Sequence, residues 1–261
     1  MSLVLLSVII PVYNEVKFIS NIVDKVALAV PNIEKEIIII DDGSTDGTRE
    51  WLVSRFPYIW EDEVFDKGRV VGFLNEDKEE LVSSLKRILV LLHKRNKGKG
   101  AALRTGFKAA LGDVIVIQDA DLEYDPRDWE EMLEPIISGQ ADIVIGSRFY
   151  GKPHSIFPLR QYIGNKIITF FVNIFTGLRF TDVESGYKMF KREVIDQIKL
   201  ECDDFGIEVE LVIKVARRKF RIFETAIRYY GRGYEEGKKI KVWDGVKAVW
   251  YILKYSLQPE M

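Results

Sequence analysis

Four acidic residues alternate with other residues directly after an apolar run in VIVIQDADLEYDP, residues 114–126. They are Asp119, Asp121, Glu123 and Asp125. In an extended chain, side chains two positions apart point to the same side, so the first three carboxylates are expected to converge as the strand ends. Converging carboxylates repel one another, whereas Mg²⁺ and Mn²⁺ prefer oxygen ligands and bind through one or two carboxylates together with substrate phosphates. The spacing therefore predicts a divalent metal site that includes Asp121.

The last acid of this series has a different predicted role. Asp125 stands directly before Pro126. An acid at the N-cap followed by proline at the first helical position is typical of a helix start. We therefore predict a helix over residues 126–133 that is capped by Asp125.

A segment rich in glycine and lysine, RNKGKGAALRTGF at residues 95–107, supplies positive charge. Gly98 and Gly100 allow close approach of a ligand to the backbone, with Lys97 and Lys99 beside them, just before a predicted helix. Glycine turns and helix N-termini favour anions such as phosphate. The segment lacks the first glycine spacing and the Ser or Thr of a Walker A loop, and no dinucleotide GxGxxG pattern follows the first strand.

Composition excludes several classes of function. The 38 Lys and Arg nearly balance the 40 Asp and Glu, so the net charge of -2 gives no global attraction to nucleic acid or anionic lipid. The single Cys202 excludes an internal disulfide framework. No apolar run reaches the ~20 residues of a membrane span, and Pro11 interrupts the N-terminal apolar stretch before a signal peptide core is complete. We expect a cytoplasmic protein that is soluble or peripheral at the inner face of the membrane.

Strand-like and helix-like segments alternate along the chain. Strands are predicted at residues 7–13, 37–40, 88–93, 114–118 and 143–146, and helices at residues 16–30, 48–56 and 100–110. Continuous apolar strands separated by helices indicate an α/β fold with a mostly parallel central sheet and helices on both faces. Ligands of such sheets bind at the carboxyl ends of the strands, where the acidic and glycine-rich segments lie.

One segment interrupts this alternation. Residues 58–86 form a charged excursion, longer than the usual connection of ~2–6 residues. We predict a short helix around residues 76–86. The excursion is a surface elaboration, a substrate lid or a partner site.

Seven segments together resemble the family 2 glycosyltransferases of the GT-A fold, and among them the polyprenyl-phosphate sugar synthases. The segments occur in the family's order and span nearly the whole chain. They are SVIIPVYNE (7–15), IIIIDDGSTDGT (37–48), NKGKGAALRTGF (96–107), IQDADLEYDP (117–126), IGSRF (145–149), TDVESGYKMF (181–190) and YYGRGYEEGKKI (229–240).

The resemblance implies a GT-A nucleotide-diphospho-sugar transferase fold. It also implies an inverting enzyme that moves a hexose, glucose or mannose, from a UDP or GDP sugar to dolichyl or undecaprenyl phosphate with Mg²⁺ or Mn²⁺. The implied organisation is a catalytic domain at 1–230, with a nucleotide-sugar half at 1–125, an acceptor half at 126–230 and the excursion at 58–86, then a C-terminal loop and amphipathic helix at 231–261.

The resemblance also implies roles for individual residues. Those expected to contact the nucleotide sugar are Pro11, Tyr13, Glu15, Asp42, Lys99, Gly100, Asp119 and Ala120. Asp121 is the expected metal ligand, with Glu123 as the second, although many lipid-phosphate synthases carry Gln at the position of Glu123. Those expected to serve the acceptor or the transferring phosphate are Arg148, Arg160, Arg232 and Lys239, with Lys238 as the alternative to Lys239.

The mechanism depends on the acceptor. A phosphate monoester is already anionic at pH 7 and needs no general base, whereas a sugar hydroxyl needs one. Glu184 is the preferred base for a hydroxyl acceptor, ahead of Glu208 and Glu210. Two alternatives to the lipid-phosphate reaction stay open: transfer to a glycan hydroxyl in surface-polysaccharide synthesis, and non-catalytic binding of a nucleotide sugar.

Two apolar segments bear on the partners of the chain. Residues 165–180 place Phe170, Phe171, Ile174 and Phe175 on a predicted helix, and residues 242–257 combine aromatic and Lys side chains. Such helices pack in a core, form the seam of a homodimer, or lie in a lipid interface. Peripheral membrane contact, a membrane partner and a homodimer all remain open at this point.

Overall fold

The structure is a computed structural model that describes residues 4–56, 60–61, 84–153, 155, 158–232 and 242–258. The chain divides into two compact units, Met1–Leu122 and Glu123–Met261. Each unit has its own strands, helices and buried apolar residues.

The first unit is built on a parallel sheet in the order β3-β4-β2-β1-β5. Its strands are β1 (Leu5–Val12), β2 (Glu34–Asp41), β3 (Trp60–Glu61), β4 (Leu85–Leu92) and β5 (Val114–Ile117). The Ile and Val runs of β1, β2 and β5 are buried, as expected for strands covered on both faces. The strands β2 and β4 end in register, with Asp41 beside Leu92.

The described part of this unit has three helices: α1 (Ile19–Leu28), α2 (Thr48–Arg55) and α3 (Lys99–Ala109). The predicted helix over residues 16–30 is too long at both ends. It begins only after Phe18, and it ends because Ala29 is extended and Val30 has a left-handed φ of 39°. The helix predicted around residues 76–86 does not reach Lys86, which lies in β4. Residues 62–83 lie outside the described residues.

The acidic series after β5 is not extended, so the predicted alternation is wrong there. The strand ends at Ile117, and turns and bends follow at residues 120–123. Leu122 adopts a left-handed φ of 61°, which is uncommon for a branched side chain. The prediction for Asp125 is confirmed, because its side chain accepts a hydrogen bond from the Arg127 N–H at 3.0 Å. It caps a 3₁₀ turn, Pro126–Asp128, which leads into α4 (Trp129–Ile137).

Among its described residues, the second unit has three strands in the order β7-β6-β8. They are β6 (Ile143–Ser147), β7 (Lys188–Lys191) and β8 (Ile222–Ala226). β6 is antiparallel to β7 and parallel to β8. The sequence analysis did not predict β7 or β8, because each is only four or five residues long and contains charged residues.

Besides α4, the described residues of the second unit form four helices: α5 (Leu159–Thr176), α6 (Arg192–Gln197), α7 (Ile207–Arg217) and α8 (Val242–Leu257). Helices α5, α7 and α8 pack against one another. Helix α5 buries the side with Asn165, Ile168, Thr169 and Val172. No helix in the described part of the chain is both long and apolar enough to cross a membrane.

Candidate active site

Asp42 holds the glycine- and lysine-rich loop in the first unit. Its Oδ1 accepts the Lys97 N–H at 2.9 Å, and its Oδ2 accepts the Gly98 N–H at 2.7 Å. Its Oδ1 also lies 2.6 Å from Nδ1 of His93, whose Nε2 lies 3.0 Å from the hydroxyl of Thr105 in α3. Asp42 is predicted to contact the nucleoside, and in the structure both its oxygens bind the protein.

Two glycines are required by the backbone of this loop. Gly43 has a φ of +76°, and a Cβ there would lie 2.5 Å from both the Arg95 carbonyl carbon and the Asn96 nitrogen. Gly98 has a φ of +97° and is the N-cap of α3. The chain therefore turns tightly into the N-terminus of α3, with Lys97 and Lys99 on either side of Gly98.

Lys99 and Asp119 form an ion pair, with 2.7 Å between Nζ and Oδ1. Their side chains are 13% and 18% exposed, so solvent reaches both. This pair brings the glycine- and lysine-rich loop to the carboxyl end of β5. Both residues are predicted nucleotide-sugar contacts, and the structure brings them together.

The remaining predicted nucleotide-sugar contacts lie at the ends of β1 and β5 and in α3. Pro11 and Tyr13 are half-buried at the end of β1, and Glu15 is buried with its N–H donated to Thr48 Oγ1 at 2.9 Å. Gly100, in the first turn of α3, and Ala120 are buried. Their roles stay predictions.

In the second unit, Arg148 and Asp182 form a buried two-pronged ion pair. Nε of Arg148 donates to Oδ2 at 2.6 Å, and Nη2 donates to Oδ1 at 2.7 Å. The Asp182 side chain is fully buried and that of Arg148 is 11% exposed. Burial alone would raise the pKa of Asp182, but the charge and hydrogen bonds of Arg148 outweigh burial and lower it.

Two further side chains orient Asp182, and the sequence analysis missed both. Nδ2 of Asn165 in α5 donates to Oδ1 of Asp182 at 2.8 Å. The carboxylate of Glu224 in β8 accepts the backbone N–H of Thr181 at 2.8 Å and of Asp182 at 3.1 Å. Burial raises the pKa of Glu224. The turn that carries Asp182 is therefore held from two elements distant in sequence.

Glu184 lies two residues beyond Asp182 in the same turn. Burial raises the pKa of its carboxyl to about 7, an effect opposed by the charge of Arg148. The charges of Glu208 and Asp182 raise this pKa further, and that of Lys188 lowers it. Glu184 thus titrates near neutral pH.

The Glycosyl transferase family 2 matches residues 7–72 and 74–199 of the chain, and so most of its length. The chain belongs to this family. It is 29% identical over 233 residues to the low-salt glycan biosynthesis hexosyltransferase Agl6 of Haloferax volcanii, covering 87% of this chain but 48% of that protein, about half its length. It is also 29% identical over 259 residues to the UDP-N-acetylglucosamine–dolichyl-phosphate N-acetylglucosaminyltransferase of Methanococcus voltae, covering 97% and 96% of the two chains.

A solved structure supports the fold of this family member. It is glucosyl-3-phosphoglycerate synthase of Mycobacterium tuberculosis, crystallised with Mn²⁺, UDP and glucosyl-3-phosphoglycerate. The TM-score is 0.65 at 17% identity, covering 98% of this chain and 81% of that one. The predicted α/β fold of the GT-A type is confirmed.

Glu123 binds residues 229–232, where the predicted C-terminal loop begins. Its Oε2 accepts the Tyr229 hydroxyl at 2.8 Å, and its Oε1 accepts the Arg232 N–H at 2.8 Å. Its backbone carbonyl accepts the Tyr230 N–H at 2.8 Å. The predicted metal ligand is therefore also an anchor for residues 229–232.

A cluster of three buried tyrosines surrounds this anchor, and it too was missed. Tyr124 stacks on Tyr187, with ring centroids 4.7 Å apart, and lies 5.5 Å from the ring of Tyr229. The guanidinium carbon of Arg148 lies 5.2 Å from the centroid of Tyr229. The aromatic spacing in YYGRG and LEY is the only sequence signal for this cluster, and it does not distinguish a site from a core.

The other predicted catalytic and metal-binding positions differ in their surroundings. Asp121 is half-buried, and Arg160 is exposed in the first turn of α5. Lys238 and Lys239 lie outside the described residues. Across the part of the chain that the structure describes, no group of three or more His, Cys, Asp or Glu side chains is arranged to hold a metal ion. The roles of these residues stay predictions.

Proposed function

We propose that this chain is an inverting glycosyltransferase that moves a hexose from a nucleotide diphosphate sugar to a polyprenyl phosphate. The main support is the loop that Asp42 holds at the N-terminus of α3, with Lys97 and Lys99 beside Gly98. Backbone N–H groups and cations at a helix N-terminus suit a diphosphate. We assign the nucleotide-sugar half to residues 1–125, the acceptor half to residues 126–230, and the C-terminal loop and helix to residues 231–261.

The donor side is proposed to act through rigid backbone and a small number of charges. Lys99 neutralises Asp119 before the substrate binds, so a diphosphate has to compete for this ammonium. Asp119 is then released to accept a hydrogen bond from a ribose hydroxyl. Pro11, Tyr13 and Glu15 would line the nucleoside at the end of β1.

A divalent cation fits the donor chemistry at the end of β5. Asp121 is half-buried and offers a hard oxygen ligand, as Mg²⁺ and Mn²⁺ prefer, while substrate phosphates and water complete the coordination. The relative from Mycobacterium was crystallised with Mn²⁺ and UDP. Such a cation stabilises negative charge on the departing nucleoside diphosphate. We keep Glu123 as its second proposed ligand.

A polyprenyl phosphate is the proposed acceptor. The relative from Methanococcus, which matches nearly end to end, is named for a dolichyl-phosphate acceptor. A phosphate monoester attacks without a general base, and Arg148 and Arg232 would orient it through guanidinium hydrogen bonds. Arg160 and Lys239 are proposed to add positive charge on the acceptor side. The attack is direct, so the configuration at the anomeric carbon inverts.

The exposed side of α5 is proposed to lie against the inner face of a membrane. Eight large apolar side chains on this helix are 36–70% exposed, and so they do not pack in a core. They are Leu159, Tyr162, Ile163, Ile167, Phe170, Phe171, Ile174 and Phe175. The helix contains Arg160 and Lys166 but no acidic residue. An apolar face with basic residues suits an anionic lipid surface, and the proposed acceptor carries a lipid tail. A homodimer is the rival occupant of this face.

A transfer assay tests the proposed function. The full chain is incubated with UDP-glucose, UDP-galactose, UDP-N-acetylglucosamine or GDP-mannose and Mg²⁺ or Mn²⁺, with and without a short-chain polyprenyl phosphate. We expect one donor to yield a lipid-linked sugar phosphate in a metal-dependent reaction.

Three outcomes would overturn the proposal or part of it. If a donor binds but none turns over, the chain is a non-catalytic nucleotide-sugar-binding protein; if none binds, the proposed function fails. If turnover needs a glycan hydroxyl and ignores the lipid phosphate, the acceptor assignment is wrong and Glu184 becomes the candidate general base.

A further inference from the structure

Five charged residues of the second unit interact with one another, and Glu184 is the one among them that belongs to no ion pair with a described residue. Arg148 is paired with Asp182, and Lys188 is paired with Glu208. Among the residues that the structure describes, these four have the largest charge effects on Glu184; they lie after β6, in the turn of Glu184 itself, in β7 and in α7. Within the described part of the chain, the Glu184 carboxyl makes no hydrogen bond.

The backbone on both sides of Glu184 is nevertheless fixed. Nζ of Lys188 donates to the carbonyl oxygen of Val183 at 3.2 Å and to that of Ser185. The N–H of Gly186 donates to the hydroxyl of Tyr124 at 2.9 Å. Lys188 is fully buried, so this tether is shielded from water. A rigid turn therefore presents a half-buried carboxyl group that accepts no hydrogen bond from any residue the structure describes.

We propose that Glu184 binds the acceptor phosphate as a protonated hydrogen-bond donor, and that its ionised form excludes the acceptor. This inference rests on the proposed function, because it takes a phosphate acceptor beside Arg148 as given. It differs from the general-base role, in which Glu184 must be ionised to work.

Charge balance supports a protonated Glu184. The two ion pairs are each neutral, so the cluster is neutral when Glu184 is protonated and carries one net negative charge when it is ionised. A phosphate that approaches an ionised, half-buried carboxylate is repelled, because charge is screened less there than in bulk water. A protonated carboxyl instead offers an O–H donor to a phosphate oxygen.

The titration range of Glu184 suits this role. Burial raises the pKa of the carboxyl to about 7 in the free protein, so both forms are populated near neutral pH. A bound phosphate is another nearby negative charge and raises this pKa further. Binding of the acceptor therefore takes up a proton from solvent, and rising pH opposes binding.

The experiment measures the KM for a short-chain polyprenyl phosphate from pH 6 to 9 at saturating donor and metal. It compares the wild type, Glu184→Gln and Glu134→Gln, a control at an exposed glutamate in α4. We expect the KM of the wild type and the control to rise about tenfold per pH unit above pH 7, as for a single proton. The KM of Glu184→Gln stays flat, because the amide remains a neutral N–H donor.

Three results would overturn the inference: a loss of kcat in Glu184→Gln at every pH, a raised donor KM with an unchanged acceptor KM, or identical pH profiles in all three proteins. The phosphate itself titrates with a second pKa of roughly 6. This titration affects the wild type and both variants equally, so it cancels when their pH profiles are compared. Thermal unfolding of Glu184→Gln checks that the variant folds. If the wild type makes no lipid-linked sugar at all, the proposed function fails, which is a different outcome from any of these.

Discussion

His93 lies beside Asp42 because β2 and β4 are neighbouring parallel strands that end in register. Asp41 and Leu92 are the last residues of these strands, so the next residue of each reaches the same edge of the sheet. The resulting contact, 2.6 Å between Nδ1 and Oδ1, is buried. It fixes the carboxylate that in turn holds the backbone of Lys97 and Gly98.

Replacing Asp42 by Ala is expected to lower both stability and donor affinity. The Lys97 and Gly98 N–H groups and His93 lose their acceptor, which should lower the free energy of unfolding by about 2–4 kcal/mol. Denaturant unfolding and the donor KM measure the two effects. The control is Glu50→Ala, at an exposed position in α2. Unchanged hydrogen exchange at Lys97 and Gly98 in Asp42→Ala would contradict the role given to Asp42.

Replacing Gly43 by Ala separates a steric clash from the cost of a positive φ. The new Cβ would lie 2.5 Å from the backbone at residues 95–96, whereas a Cβ at Gly47, with a φ of +101°, meets only Val16 at 3.5 Å. Both variants strain the backbone by of order 1 kcal/mol. Gly43→Ala should lose at least ~2 kcal/mol more than Gly47→Ala in denaturant unfolding. Equal losses would show that the loop moves aside freely.

Lys35 is a buried ammonium whose removal should stabilise the protein. It is fully buried, donates to the Ala27 carbonyl at 3.2 Å and to Ser84 Oγ at 2.8 Å, and has no carboxylate partner in the described part of the chain. Burial lowers its pKa from 10.5 to about 8. Lys35→Met should raise the free energy of unfolding near pH 7 by about 2 kcal/mol, after allowance for the two lost hydrogen bonds.

The pH dependence of this effect has a definite sign. The native protein binds fewer protons at Lys35 than the unfolded chain between pH 8 and 10.5. The cost of burying the ammonium is therefore complete below pH 8 and is lost as pH rises to 10.5. The advantage of Lys35→Met should shrink over this window. A constant difference from pH 7 to 10 would mean that the effect is packing rather than charge.

Replacing Asp121 by Asn is expected to lower kcat by about 10³-fold or more, because the metal loses a charged ligand. Thermal unfolding checks that the variant folds. Chelation of the metal should stop the wild-type reaction, and added Mn²⁺ should restore it. A variant that retains most of the rate would place the metal site elsewhere.

Replacing both Phe170 and Ile174 by Ser tests the proposed membrane face. These side chains are 60% and 57% exposed on α5. Their loss should lower the partition coefficient onto vesicles of phosphatidylglycerol and phosphatidylcholine, measured by co-sedimentation, by about a hundredfold or more. Each side chain buried in lipid contributes about 1.5–3 kcal/mol, and about 1.4 kcal/mol is a factor of ten. Leu111→Ser, at a side chain 66% exposed in the first unit, is the control. A concentration-dependent dimer that the double variant abolishes would instead assign the face to a second copy.

Local patterns in the sequence were sufficient for much of the fold. Apolar runs located β1, β2, β4, β5 and β6, and the Asp125-Pro126 pair located a helix start. Helix capping and strand propensity depend on residues that are adjacent in the sequence, so both can be predicted without knowledge of the tertiary structure. Alternation failed at Leu122 because a single left-handed residue changes the direction of every side chain that follows.

The sequence by itself determined which segments bear charge, glycine and apolar surface, and the order of those segments indicated the family. Only the tertiary structure decided which groups meet. The pairing of Asp42 with His93 depends on strand order and register, and that of Arg148 with Asp182 joins residues 34 positions apart. Such contacts are set by packing between distant elements. For the same reason, only the structure revealed that the charges of two ion pairs, Arg148–Asp182 and Lys188–Glu208, act on Glu184.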